Sequence, residues 1–207
     1  VLGNHDRPRL ASNIGEERLK IAAILLLTLR GMPFIYYGDE IGMKNAEVKD
    51  SEVKDTFALR TKLRFSRDPE RSPMQWDGDL HADFSNSKPW LPLASDYKEK
   101  NVENQLRDPD SLLNLHKRLI HYRNSSKVLK FGSYQSLNTK SSDVFSYVRE
   151  YQNRRILIML NFSNNSVKEP IPFESAKIVC SSNREKEREI VSTEIQLDPN
   201  DGYVFEV

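Results

Sequence analysis

Gly31-Met32-Pro33-Phe34-Ile35-Tyr36-Tyr37-Gly38-Asp39-Glu40 is the stretch on which the fold turns. Phe34 to Tyr37 is a short β-branched and aromatic run closed by Gly38, the composition of a buried strand. On its N-terminal side, Glu16 to Leu29 is expected as a helix. Glu16 and Glu17 sit in the first turn, where the helix dipole favours acidic side chains, and Gly31 and Pro33 mark the end. The middle of that helix is apolar on nearly every face, which predicts burial. Further back, Val1-Leu2-Gly3 is an apolar stub that runs into Asn4-His5-Asp6. Stub, helix and strand make a βαβ unit. In a sheet of such units ligands meet the loops at the carboxyl ends of the strands, where Asn4-His5-Asp6 and Asp39-Glu40 both fall.

Residues 44–109 are polar, rich in Asp, Lys, Ser and Pro, and lack any sustained period. So long a loop in a compact domain is functional or disordered, and the aromatic cluster of Met74-Gln75-Trp76 and Pro89-Trp90 argues against disorder. Asp110 to Asn124 is expected as a second helix, capped by Asp110 or Ser111, with Leu112, Leu115, Leu119 and Tyr122 at helical spacing. From Gly132 onward strands take over: Val144–Arg149, Ile156–Phe162, Ile190–Leu197 and Tyr203–Val207, separated by turns such as Asn164-Asn165 and Asn200-Asp201-Gly202. About 75 residues can hold a modest core of their own as a small antiparallel β domain. The chain therefore reads as α/β plus all-β, with residues 1–128 in the first domain and 129–207 in the second. The charge run Asn183–Glu189 is expected as a solvated hairpin tip.

Composition is that of an ordinary globular protein: 207 residues, 38% hydrophobic, 29% charged. With 31 Lys+Arg against 30 Asp+Glu, the formal charge is +1 and the basic residues are scattered, which gives no field for nucleic acid or an anionic membrane. Cys180 stands alone in Lys177-Ile178-Val179-Cys180 and is expected as a small buried strand residue, with no catalytic-thiol setting nearby. The longest apolar run, Ile21 to Leu27, falls far short of the roughly 20 residues needed to cross a bilayer. The chain opens at Val1 without a methionine and is expected to begin within a domain, which leaves any targeting segment upstream open.

Three stretches carry a family resemblance. Gly3-Asn4-His5-Asp6-Arg7-Pro8-Arg9 is similar to the motif after the seventh barrel strand of the α-amylase family. Gly31 to Met43 resembles the eighth strand and its exit loop. Ser66-Arg67-Asp68-Pro69-Glu70-Arg71-Ser72-Pro73-Met74-Gln75-Trp76-Asp77 resembles the maltase, sucrase and oligo-1,6-glucosidase branch. Asn-His-Asp alone is weak; the three stretches in this order and spacing are specific, and the resemblance covers essentially the whole chain. It implies the last part of a (β/α)8 TIM barrel followed by a small antiparallel β-sandwich. It also implies a retaining α-glucosidase acting on maltose, sucrose or malto-oligosaccharides. The nucleophile Asp and acid/base Glu of the family would lie upstream of Val1, about 5 Å apart across the scissile bond, so that this chain holds only part of the active site.

On this resemblance Asp6 is the carboxylate that grips the hydroxyls of the sugar to be cleaved. Such binding strengthens at an oxocarbenium-like transition state and raises the rate. Its loss would cost on the order of 10²–10³-fold. His5 would donate to the same sugar, and Arg67 would reach the sugar and the catalytic carboxylates with its guanidinium fork. Taken alone, Asp6 could be a turn cap, His5 a packed strand-end residue and Arg67 a surface arginine. Arg71, Gln75 and Trp76 are expected to shape the loop, with Trp76 as a wall of the pocket mouth.

Asp39 and Glu40 are adjacent; on a strand they would face opposite ways, so they do not form an acid/base pair, and Glu40 is expected to hold nearby loops. His81, His116 and His121 lack ligand-like spacing, and no metal or cofactor is assigned to this chain; calcium belongs, if anywhere, to the missing part. The sequons Asn124-Ser125-Ser126, Asn161-Phe162-Ser163 and Asn164-Asn165-Ser166 fit a secreted or membrane-anchored extracellular protein, with Asn161 the least accessible. Two other readings share this architecture: an inactive relative resembling the heavy chains of amino-acid transporters, and a transglycosylase or isomerase. Intact Asn4-His5-Asp6 and Arg67 favour an enzyme. Oligomeric state is left open.

Overall fold

The computed structural model describes residues 2–61 and 65–207. Val1, at the head of the expected first strand, lies outside the described residues, as do residues 62–64 of the long polar segment. Contacts divide the chain into two compact units: residues 1–19 with 34–114, and residues 20–33 with 115–207. The sequence boundary at 128/129 follows composition, whereas packing groups the first long helix with the β domain.

The first unit holds short elements: α1 (Leu10–Ile14), α3 (Thr56–Thr61) and α4 (Val102–Arg107), joined by 3-10 turns. Ile41, Met43 and Met74 form its buried apolar centre, with Val102 and Leu113 packed against them. Order in the 44–109 segment comes from side chains that satisfy backbone groups. Asn101 caps α4 by accepting from the Asn104 amide at 2.8 Å and also donates to the Tyr97 and Lys98 carbonyls at 2.9 and 3.1 Å. Gln105 donates to the Ile41 carbonyl at 2.7 Å. The described part of the segment is thus built of short helices and turns rather than a regular domain. Phe34–Tyr37 has no ladder partner among the described residues and is not a strand here, because strand structure requires a neighbour to receive its backbone bonds. Asp39–Ile41, expected at a strand end, is a 3-10 turn entered and left through left-handed Gly38 (φ 86°) and Gly42 (φ 69°).

In the second unit lie most of α2 (Leu19–Thr28) and α5 (Leu112–Ser125), all of α6 (Lys127–Phe131), and eight strands. The expected helix over Glu16–Leu29 is present as a 3-10 turn, Glu16–Arg18, leading into α2. Ser111 caps α5, its hydroxyl accepting from the Asn114 amide at 3.1 Å. A six-stranded antiparallel sheet has the order β1 (Ser133–Leu137), β2 (Val144–Tyr151), β3 (Arg154–Asn161), β8 (Gly202–Glu206), β5 (Ala176–Ser181), β6 (Ile190–Val191). β4 (Val167–Pro170) and β7 (Glu194–Leu197) form a second, two-stranded sheet. Val148, Leu157, Met159, Tyr203 and Phe205 from the large sheet and Ile195 and Leu197 from the small one share a core, which makes a sandwich. The run Ile190–Leu197 was expected as one strand. It is two, because the chain crosses from one sheet to the other after Val191.

The opposite face of the large sheet is covered by α2. Thr28 Oγ1 meets the Tyr147 hydroxyl at 2.6 Å, and a Cβ on Gly202 would meet Ile24 at 3.1 Å. Two buried arginines finish this helix. Arg123 donates to the Leu27, Leu29 and Gly31 carbonyls, and Arg149 to the Thr28 carbonyl at 2.6 Å, where the last-turn carbonyls lack helical partners. Cys180 is buried as expected, and burial pushes its thiol up to about 12. The charged run Asn183–Glu189 does link β5 to β6, but it is not wholly solvated: Glu187 pairs with Arg118 at 3.3 Å and accepts from the Ser181 amide at 3.2 Å.

Candidate active site

The loop that bears Asp6 is fixed from both sides. Asn4 Oδ1 accepts from the Asp6 amide at 2.9 Å, a local turn of the kind Asn favours. Three residues on, Arg9 is fully buried. Its guanidinium donates to the Tyr37 and Ser72 carbonyls at 2.6 and 3.3 Å and lies 5.2 and 4.7 Å from the ring centres of Tyr36 and Tyr37. Its amide donates to Asn45 at 2.8 Å. The Tyr36 and Tyr37 hydroxyls reach the Glu70 and Ser72 carbonyls. One buried cation thus ties the Asp6 loop, the Tyr36-Tyr37 run and the Ser66–Asp77 loop together.

Three of the sequence-predicted residues meet at Asp6. Arg67 Nη1 donates to Asp6 Oδ1 at 3.0 Å, and His5 Nε2 lies 3.2 Å from Oδ2. Arg71, expected only to shape the loop, also reaches Oδ1 with Nη2 at 3.1 Å while its Nε donates to the His5 carbonyl at 3.0 Å. Both guanidiniums therefore hold one carboxylate oxygen, and the other is left towards His5 and solvent. Asp6 remains about half exposed, at 47% of its side-chain surface, so a ligand hydroxyl can reach it.

Arg67 is itself held. Asp55, only 4% exposed, accepts from the Arg67 amide at 3.1 Å, from Nε at 2.8 Å and from Nη2 at 2.8 Å. Asp55 also accepts from the Phe57 amide at 3.0 Å at the start of α3. Buried Asp68 holds the approach to Asp55 by accepting from the Lys54 and Asp55 amides at 2.6 and 2.9 Å. The hydrogen bond from Arg67, aided by the nearby charges of His5, Arg67 and Arg71, keeps the Asp6 carboxyl below the usual range. Arg67 depresses Asp55 in the same way, further. Both are carboxylates at neutral pH. No sequence signal marked Asp55, because it sits twelve residues before Arg67 in a segment without periodicity.

Trp76 lines an open apolar cleft of about 380 Å³ together with Tyr37, Arg71, Met74, Phe84 and Trp90. It shares Arg71 with the Asp6 cluster, so the tryptophan lines an apolar cleft beside that cluster. Gln75 is buried and donates to the Lys100 carbonyl, a loop-shaping contact. Asp39 and Glu40 are drawn inward by their turn, and the opposite-face argument for a strand does not apply. Burial lifts Asp39 to about 6 and raises half-buried Glu40, which lines the same cleft as Trp76. Glu40 Oε2 has no hydrogen-bond partner among the described residues, so this oxygen does not hold a loop. Among the described residues no group of three or more His, Cys, Asp or Glu is placed to hold a metal ion.

Residues 1–132 match the family "Alpha amylase, catalytic domain", and residues 134–204 match "Maltogenic Amylase, C-terminal domain". The chain is 31% identical to an oligo-1,6-glucosidase of Halalkalibacterium halodurans over 98% of its own length and 41% of that protein. It is 35% identical to the trehalose-6-phosphate hydrolase of Escherichia coli over 77% of its length and 33% of that protein. The crystal structure of an isomaltulose synthase from Klebsiella sp. LX3 superposes with a TM-score of 0.84 at 31% identity, over 99% of this chain and 42% of that one. The chain thus spans about two-fifths of the length of the oligo-1,6-glucosidase and of the synthase.

Proposed function

Because the chain belongs to the α-amylase family, carrying the last part of its (β/α)8 catalytic domain and the β domain that follows, we propose that it supplies the substrate-gripping side of a retaining α-glucosidase site. The observation that carries this reading is the asymmetry at Asp6, with Oδ1 bound by two guanidiniums and Oδ2 left towards His5 and solvent. A carboxylate so oriented accepts hydrogen bonds from the hydroxyls of a pyranose ring, and His5 and Arg67 donate to the same ring. The grip tightens as the ring flattens and becomes positively charged. The nucleophile and the acid/base belong to parts of the catalytic domain outside this chain. Asp55 cannot serve as either, since Arg67 and the Phe57 amide occupy both of its oxygens.

The substrate class is short glucosides with a terminal α-linked glucose. The names of the similar proteins direct attention to 1,6-linkages more than to maltose or sucrose. The synthase among the similar structures supports a second reading, in which the glucosyl group passes to another sugar and not to water.

The test uses the full-length protein and Asp6→Asn, with glucose release measured on isomaltose, maltose and sucrose and sucrose isomers followed by chromatography. Loss of kcat/KM on the order of 10²–10³-fold with an unchanged circular dichroism spectrum is expected. Activity within threefold of wild type after Asp6→Asn would overturn the role of Asp6. Failure of the wild-type protein on all three sugars would overturn the functional reading.

A further inference from the structure

We propose that Asp55 is the positioning residue of this site, fixing the plane of Arg67 so that Nη1 alone is aimed at Asp6. The proposal rests on the functional reading above. Asp55 accepts the Nε and Nη2 hydrogens of Arg67 side-on, both at 2.8 Å, which is the fork geometry that leaves a guanidinium no rotational freedom about its stem. The opposite edge of the guanidinium carries Nη1, and it is this edge that lies 3.0 Å from Asp6 Oδ1. A long arginine at the surface would otherwise sample many rotamers, and ordering it would oppose binding.

Asp55 is well placed to do this because it is itself immobile. It is buried, its oxygens face inward from the start of α3, and its own backbone amide and that of Lys54 are held by Asp68. The Phe57 ring, 5.6 Å from the guanidinium carbon, covers one face of Arg67. The chain of contacts runs Asp68, Asp55, Arg67, Asp6, with each link made of hydrogen bonds of 2.6–3.1 Å.

The competing account is that Asp55 merely caps α3 through the Phe57 amide. The two accounts order the variants oppositely. Asn caps a helix as well as Asp does, whereas Glu is not among the preferred capping residues. Only a carboxylate, however, accepts two N–H groups of a guanidinium side-on. Positioning therefore predicts that Asp55→Glu keeps more activity than Asp55→Asn, and capping predicts the reverse.

In the full-length protein, Asp55→Asn is expected to lower kcat on α-glucosides about 10–100-fold with little change in the thermal midpoint. Introduced into Arg67→Ala, it is expected to cost nothing further, since residues that act through one another are not additive. A second readout needs no turnover: phenylglyoxal labelling of Arg67, followed by mass spectrometry, should run several-fold faster in Asp55→Asn than in wild type. Should Asp55→Glu misfold, the Asn variant and the labelling rate decide. The proposal is overturned if Asp55→Asn labels at the wild-type rate, or if its activity loss persists in full without Arg67. Faster labelling in a protein that cleaves no α-glucoside would instead sink the functional reading and leave the Asp55–Arg67 tie standing.

Discussion

Arg149→Met tests whether a buried cation without a carboxylate can hold a sandwich to its helix. Arg149 is fully buried in β2, and its side chain donates to the Ser133, Thr28, Leu129 and Gly132 carbonyls at 2.8, 2.6, 3.1 and 3.0 Å. Methionine fills much of the same volume, so the change removes bonds more than it opens a cavity. Two or more carbonyls left without a donor cost about 1–3 kcal/mol each. Against this stands the relief of no longer burying a charge, which already pulls the guanidinium down from its ordinary value. A net destabilisation of about 3 kcal/mol follows, equivalent to roughly 10²-fold in an opening equilibrium. Hydrogen exchange of the central β3 amides, Ile156–Leu160, reads that equilibrium directly, because β3 pairs with both β2 and β8. Protection should fall about 10²-fold in Arg149→Met, with Arg149→Lys no better, since a single ammonium cannot span four carbonyls. Protection unchanged within threefold would show that desolvation cancels the lost bonds, and the argument for the buried arginines would fail.

Three further expectations follow from named contacts. Burial lifts Asp39 to about 6 from 3.8, so the folded state keeps its proton over a range where the unfolded chain releases it, and stability declines as pH rises from about 4 to 6. Asp39→Asn should remove that decline, by on the order of 2–3 kcal/mol at pH 7. Urea midpoints at pH 4 and pH 7 check this, and a shift equal at both would refute it. Arg71→Lys keeps the charge but loses the paired bonds to Asp6 and the His5 carbonyl, and should lower kcat/KM about 10-fold; wild-type kinetics would show that charge alone suffices. When the protein is produced through a secretory route, glycopeptide mass spectrometry should find the Asn161 sequon empty. Its amide is buried and donates to the Asn165, Leu197 and Asp198 carbonyls, whereas Asn124 and Asn164 are exposed.

What the sequence reveals and what it conceals divide along one physical line. Elements whose pattern is set by burial are legible: α2 and α5 from apolar spacing, β2 and β3 from alternation and apolar runs, Cys180 from its apolar neighbours. Four of the five β1 residues are exposed, so the strand has no buried face to advertise, and it exists because β2 offers it an edge. β4 ends in Pro170, tolerable only because it lies in a two-stranded sheet. The break between β6 and β7 reflects which sheet each half joins, a long-range fact absent from the local pattern. Phe34–Tyr37 errs the other way: its composition is that of a strand, but composition does not supply a pairing partner. At the site, the motif stretches bring Asp6, His5 and Arg67 together as the resemblance implies. Arg71 was visible as a residue but not as a second donor to Asp6, and Asp55 was not visible at all, because its partner is fixed by loop geometry.

The charges around Asp6 give this arrangement a further consequence. Asp6 and Asp55 carry two negative charges, and Arg67 and Arg71 two positive ones, so these four hydrogen-bonded side chains sum to zero. A neutral cluster neither attracts nor repels an uncharged sugar at long range, and the ground state gains little from it. The transition state of glycoside cleavage differs, because positive charge develops at the anomeric carbon. Asp6 Oδ2 then faces that charge with its negative field intact, because Asp55 balances one of the two guanidiniums that hold Oδ1. Without Asp55 the cluster becomes net positive beside a developing cation, a penalty incurred in the transition state and not in the bound substrate. Interactions of that kind change kcat and spare KM. Asp55→Asn should therefore show a kcat loss at nearly constant KM, whereas Arg67→Ala, which removes a donor to the bound sugar as well, should move both.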